Sequence, residues 1–220
     1  MVRGLRRPGR PRSTIIKVAA ESVVSRTRRF GVVVALKERR PKRYRHPSID
    51  SRLTNERIVQ ESRLIPVARR AGVRVPAVLD VDLARSSLVI EFVPGPTAKE
   101  IIERAKGPGA GLKRSRLCRE IGRMAGRLHA AGIVHGDLTT SNVIVSSHGP
   151  VMIDFGLARR ADDDESRGAD LILLEHAFRG LHPEQERLLA DVWEGYRGSF
   201  PGSAGALRQA DMIRGRRRYV

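Results

Sequence analysis

Between residues 135 and 156 the chain reads HGDLTTSNVIV, then a short polar turn and an apolar run, then IDFG. No other stretch constrains the fold as much. Val143–Val145 and Val151–Ile153 read as the two strands of a tight β-hairpin. That hairpin sets Asp137, Asn142 and Asp154 on loops at its ends. Two carboxylates and an amide converging at a loop end make a hard-oxygen site suited to Mg²⁺ on a phosphate chain.

The remainder of the chain changes character at Pro94–Pro96 (PGP). Before it, the β-branched runs Ser13–Val18, Ser22–Arg26 and Val32–Lys37 read as consecutive short strands, with Val78–Val81 and Ser87–Val93 as two more. Between them SIDSRLTNERIVQESRLI places Leu53, Ile58 and Leu64 on one helix face. Pro66 lacks a backbone donor and is expected to kink that helix or end it near Leu64. After the break, Thr97 with Glu100 three residues on reads as a capping box. Gly107–Gly111 (GPGAG) reads as a loop, and Arg116–Ala131 as an amphipathic helix closed by Gly132. Helices at Ala169–Phe178 and Glu184–Arg197 follow. A sheet-rich part, one connector and a helix-rich part make an α+β chain of two lobes. The expected divisions are a flexible basic arm at 1–12, a first lobe at 13–93, a second at 94–213, and the basic tail RGRRRYV at 214–220.

Lys and Arg number 42 against 24 acids, a net charge of +18. An excess this large points to a polyanionic partner, nucleic acid ahead of an anionic membrane surface. The densest basic runs are the loop KRYRH, ending at His46, and the tail cations Arg214, Arg216, Arg217 and Arg218, beside which Tyr219 can stack on a base. Charge runs are usually solvated ends. A chain at +18 already repels itself, however, and four tail arginines add to that cost unless a polyanion neutralises them. The single cysteine, Cys118, excludes an internal disulfide. Met1–Arg12 carries no secretory pattern, and no run approaches the roughly 20 apolar residues that span a bilayer. A soluble cytoplasmic protein is the expectation.

H-x-D-L-x-x-x-N followed by D-F-G is the order found in protein kinases, with the same Asp-to-Asn spacing. The chain therefore resembles a protein kinase reduced to a minimal bilobal core, with a small β-rich N-lobe and a helical C-lobe. The resemblance implies ATP and Mg²⁺ as cofactors. Asp137 would be the base or orienting group for the attacking hydroxyl or water, and Asn142 and Asp154 the Mg²⁺ ligands. Lys37, ending VVVALK, would be the phosphate-binding lysine, oriented by Glu61, with Glu56 as the alternative. Ser87–Val93 falls at the hinge: Ile90 would back the adenine pocket, and the Glu91 carbonyl and Val93 amide would pair with the adenine edge. Ala19, Ala20 and Glu21 fall in the phosphate loop, where Ala19 stands at the expected glycine. Without that glycine the backbone is hindered from positive φ and from a close approach to phosphate.

The segments LKERRPKRYRHPSID, ERIVQESRLI, HGDLTTSN, DFGLA and RGRRRYV narrow the resemblance. From about Ile15 onward the chain is similar to the small atypical serine/threonine kinase/ATPase subunit of the KEOPS complex. That implies partnership with the KEOPS threonylcarbamoyl-transferase subunit and other KEOPS subunits. It also implies ATP hydrolysis in threonylcarbamoyladenosine modification of tRNA, weak serine phosphorylation, and no membrane. The basic tail and the KRYRH loop are the expected tRNA contacts. Departures from peptide kinases agree with this reading. Gly136 replaces the arginine that would grip an activation-loop phosphate, and Thr139 replaces a lysine that steadies the transferred phosphate. Fifteen residues separate Asp154 from Asp170, and no A-P-E follows. The rivals are a small-molecule kinase of the aminoglycoside-phosphotransferase type and a catalytically silent nucleic-acid-binding pseudokinase.

Overall fold

The computed structural model describes residues 13–18, 22–41 and 46–216. Ala19, Ala20 and Glu21, residues 42–45 of the KRYRH loop, the 1–12 arm and tail residues 217–220 lie outside the described residues. The chain falls into two compact units, one made of Met1–Asn55 and Val78–Phe92, the other of Glu56–Ala77 and Val93–Val220.

The first unit is built on a five-stranded antiparallel sheet: β1 (Thr14–Val18), β2 (Ser22–Arg29), β3 (Val32–Arg39), β4 (Val78–Asp82) and β5 (Ser87–Glu91), in the order β1-β2-β3-β5-β4. β2 and β3 run past their expected ends at Arg26 and Lys37. For β2 the reason is the two-residue turn Phe30–Gly31, both at positive φ (51° and 76°), which keeps the strands paired out to Arg29 and Val32; β3 is extended at its other end, where Glu38 and Arg39 pair with Val23 and Ser22. β5 stops at Glu91, two residues short of the expected end, so Val93 follows the strand. Val34, Leu36 and Val89 form the buried cluster of the sheet.

Helix α1 (Pro47–Arg70) starts where the His46 carbonyl accepts the Asp50 amide at 3.0 Å, and the boundary between the units falls inside it. Of the two expectations for Pro66, an end near Leu64 is overturned: the helix continues through the proline to Arg70. Proline in a helix interior costs roughly 3 kcal/mol. Leu64, Ile65 and Ala68 are all buried around it, and burying each large side chain contributes about 1.5–3 kcal/mol. Burial therefore outweighs the missing donor.

The second unit carries α2 (Ala98–Arg104), α3 (Ala110–Ala130), β6 (Ile133–Val134), β7 (Val143–Ser146), β8 (Gly149–Met152), β9 (Arg159–Arg160), α4 (Asp164–Leu181), α5 (Leu189–Arg197) and α6 (Ser203–Arg216). β7 pairs with β8 and β6 with β9, both antiparallel. The capping box forms as expected: the Glu100 amide donates to Thr97 Oγ1, and the Thr97 amide to Glu100 Oε2. α3 begins at Ala110, inside the expected GPGAG loop, because Gly109 takes the left-handed conformation at its N-cap. α4 starts five residues before the expected Ala169, because Asp163 caps it by accepting the Ser166 amide at 2.7 Å. The expected Glu184–Arg197 helix is divided into a 3₁₀ stretch, Pro183–Leu188, and α5; Gln185 leaves helical φ/ψ. α6 was not anticipated, and it takes Arg214 and Arg216 into a helix.

α3 and α5 approach at backbone distance. A Cβ on Gly122 would lie 1.9 Å from the Val192 carbonyl oxygen, and one on Gly195 would lie 1.9 Å from that of Arg119. On the same face α3 buries Leu117, Cys118, Ile121, Met124, Ala125 and Leu128, the spacing of one helix stripe. Burial in this seam pushes the Cys118 thiol up to about 12, so it packs as an apolar group. Among the described residues no helix is long and apolar enough to cross a membrane.

Candidate active site

The loop from His135 to Asn142 is shaped by one buried acid. Asp170 on α4 is 2% exposed, and it accepts the His135 amide at 2.7 Å and the Gly136 amide at 2.8 Å. His129 on α3 donates Nε2–H to the same carboxylate at 3.2 Å, and the Tyr196 hydroxyl donates to His129 Nδ1 at 2.7 Å. Burial pushes the Asp170 carboxyl up. The hydrogen bonds from His129 and from the His135 amide outweigh burial and hold it below the usual carboxylate range. Burial also raises the Tyr196 hydroxyl, which keeps it a donor.

From that anchor the backbone delivers the chemistry. His135 donates Nε2–H to the Ile153 carbonyl at 3.1 Å, and its Nδ1 accepts the Asp137 amide at 3.3 Å, which fixes the neutral tautomer. One imidazole thus ties the two motifs together, and Phe155 packs edge-on against it at 4.9 Å. Asn142 donates Nδ2 to both the carbonyl and Oδ2 of Asp137, at 3.0 and 2.7 Å. The Asn142 carbonyl accepts the Ile153 amide at 2.9 Å, one residue before Asp154. Asp154 itself sits at φ 65°, ψ 63°, a left-handed conformation that aspartate tolerates better than most residues. Gly136 is required where it stands: its φ is 76°, and a Cβ would come 2.6 Å from the Leu157 carbonyl oxygen. An arginine at this position is excluded by backbone geometry.

The structure therefore brings Asp137, Asn142 and the start of the Asp154 turn together in one unit. Glu61, buried at 1% exposure, and Val93 belong to that unit as well. Lys37, 5% exposed on β3 opposite Val24 and Leu88, and Glu91, exposed at the end of β5, belong to the other unit. Lys37, Glu61, Glu91, Asn142 and Asp154 all have interacting partners. Asp170, His129, Tyr196 and His182 were missed by the sequence reasoning. The last pairs through Nε2 with Thr140 Oγ1 at 2.8 Å, behind the loop. Asp170 left a readable trace, a lone acid opening the apolar run DLILL; the two histidines left none.

The oxygens that could serve a divalent cation are the Asn142 amide oxygen, directed away from Asp137 by the two Nδ2 bonds, and the Asp154 carboxylate. So few hard oxygens would suit Mg²⁺, which completes its shell with water and phosphate oxygens. Among the described residues no group of three or more His, Cys, Asp or Glu makes an all-protein cage.

Comparison with known proteins shows the family. The family model of the RIO domain matches residues 14–173. The chain is 43% identical to the KEOPS complex subunit Bud32 of Pyrococcus abyssi over 76% of its length and 74% of that protein. It is 40% identical to the EKC/KEOPS complex subunit bud32 of Emericella nidulans over 84% of its length and 81% of that protein. Among solved structures, the Rio2 kinase of Chaetomium thermophilum, an ADP/Mg²⁺-phosphoaspartate complex, superposes with a TM-score of 0.61 at 15% identity, covering 97% of this chain and 71% of that one. That likeness establishes the kinase-like α+β fold. The chain belongs to the RIO-domain family of atypical kinases and, within it, to the family of the KEOPS complex subunit Bud32.

Proposed function

We propose that this chain is an ATP-dependent phosphotransferase and ATPase acting as the kinase-like subunit of a KEOPS complex. In that role it supports threonylcarbamoyladenosine modification of tRNA, with weak serine/threonine kinase activity of its own and a cytoplasmic setting. The observation that carries the reading is the pairing of Asn142 with Asp137 on a loop whose backbone is held by Asp170. The names of its relatives supply the complex.

In this mechanism Asp137 orients the attacking hydroxyl or water and takes its proton. Asn142 keeps the Asp137 carboxylate in place through Nδ2 and, with Asp154, would hold Mg²⁺ through its oxygen. When bound, the metal neutralises charge on the phosphate chain. Lys37, oriented by Glu61, would bind phosphate from β3, and the Glu91 carbonyl and Val93 amide would read the adenine edge. Ala19, Ala20 and Glu21 would cover the phosphates. Catalysis of this kind is mostly positioning plus electrostatics, for which this small set of groups suffices. tRNA and the other KEOPS subunits are the partners in this reading.

The test is ATP hydrolysis by purified protein, alone and with tRNA and the threonylcarbamoyl-transferase subunit. Asp154→Ala should abolish turnover while the protein stays folded. Asp137→Asn should lose turnover and keep most nucleotide affinity. Full ATPase activity in folded Asp154→Ala would remove the assignment, and equal losses of affinity and turnover in Asp137→Asn would give Asp137 a different role.

A further inference from the structure

One face of α1 and the short strand β9 enclose a groove of about 610 Å³, lined by Glu56, Val59, Gln60, Arg63, Leu64 and Val67 on the helix and by Arg159 and Arg160 opposite. Gln60 sets the spacing of the two walls by donating Nε2–H to the Ala158 carbonyl at 2.6 Å.

Elsewhere in this unit several guanidinium groups are matched to acids: Arg119 to Asp191 and Glu194, Arg127 to Glu120, Arg167 to Asp162 and Asp164, Arg179 and Arg214 to Glu175. The groove arginines are not. Arg159 bonds the neutral Ser166 hydroxyl and Arg160 the Ala131 carbonyl. Neither they nor Arg63 forms an ion pair with a carboxylate among the described residues, although the charge of Arg159 also acts on Asp163. The nearby acids are committed elsewhere: Asp163 caps α4, and Asp162 and Asp164 face Arg167.

We propose that this groove binds the phosphate backbone of RNA, an inference that rests on the tRNA reading above and gives it a surface in the described fold. From Glu56 to Val67 the helix wall runs about 16 Å at 1.5 Å per residue, room for several phosphates in a row and far more than one small anion needs. Val59, Leu64 and Val67 form a floor on which the arginine stems and a ribose can lie. Glu56 is the one acid in the lining, and it lies about 10 Å along the helix from Arg63, so the helix wall is cationic at its Arg63 end. With no base-reading element in the lining beyond Gln60, binding is backbone-directed and insensitive to sequence.

The experiment uses the full-length protein and an unmodified tRNA transcript, with affinity measured by fluorescence anisotropy from roughly 50 to 200 mM salt. Arg63→Gln removes a side chain with no partner to lose, and should lower the slope of log affinity against log salt by about 0.7–0.9. Arg63→Lys should keep the slope, and the triple change of Arg63, Arg159 and Arg160 to Gln should lower it by about 2.1–2.7. A melting curve on each variant identifies any loss that comes from unfolding. Arg63→Gln with an unaltered slope overturns the groove while leaving tRNA binding by the protein intact. A wild-type protein that does not bind tRNA removes the underlying reading as well. A phosphoserine peptide of matched charge is the second probe: loss of its binding, with tRNA binding unchanged, would make the groove a peptide site and overturn the RNA assignment.

Discussion

At residue 170 a single carboxylate accepts two backbone amides and one imidazole in the interior, and the loop carrying Asp137 hangs from it. An amide side chain at that position can accept with one oxygen only, and turns an NH₂ toward groups that donate. Asp170→Asn should therefore lower stability by about 3 kcal/mol, measured by urea unfolding. It should lower ATP turnover more than nucleotide affinity, because it releases the loop. The folded carboxyl titrates below its ordinary 3.8, so its contribution is present above that pH and is lost as pH falls through the lower folded value. Wild type should lose this stability only below about pH 3.8, and the Asn variant should lack that part of the acid slope. Gly136 is the other residue on which the loop depends: positive φ and the Leu157 carbonyl leave room for hydrogen alone.

Among the elements, α3 and α5 depend on Gly122 and Gly195, which let one helix lie against the backbone of the other. Here the facing atoms are carbonyl oxygens and cannot rotate aside as a side chain can. Gly195→Ala should cost at least the 1–3 kcal/mol typical of overpacking, visible as a lower urea midpoint. Because Tyr196 and its hydrogen bond to His129 ride on α5, the same change should also reduce turnover. α1 shows the opposite balance: Pro66 breaks a local rule, and burial of Leu64, Ile65 and Ala68 keeps the helix intact.

Over the whole molecule the net charge is +18, and part of it is used within the fold. Arg214 opens the basic tail in sequence, yet in the structure it belongs to the fold: Nε and Nη2 donate to the two oxygens of buried Glu175, which Arg179 also contacts. Arg214→Ala should destabilise the protein by about 1.5–3 kcal/mol, measured by thermal or urea unfolding, since it strips a charged hydrogen-bond partner from a buried acid. Truncation after Arg216 spares that pair. Removing Arg217–Val220 should leave stability and ATP binding unchanged and lower the salt slope of tRNA binding by about 1.4–1.8, for two lost phosphate contacts. An unaltered slope would mean the tail is a solvated end.

The sequence by itself determined the local chemistry: the strand runs, the Thr97 capping box, and the spacing that brings Asp137 beside Asn142. Each of these is set by neighbours within a few residues, where periodicity and side-chain type suffice. It also carried the family, because the motifs are contiguous. What it did not determine depends on groups far apart in the chain. The passage of α1 through Pro66 needed burial that no local pattern announces. The start of α4 was legible in hindsight as an Asp cap, while α6 has no strong periodicity to mark it. Asp170 lies 35 residues from His135 and 41 from His129, so only the folded chain could bring one carboxylate to both. The same holds for Arg214 with Glu175, and for the groove, whose walls are far apart in sequence. Long-range burial and pairing, which close loops at an entropic cost that local sequence does not report, were decided by the tertiary structure.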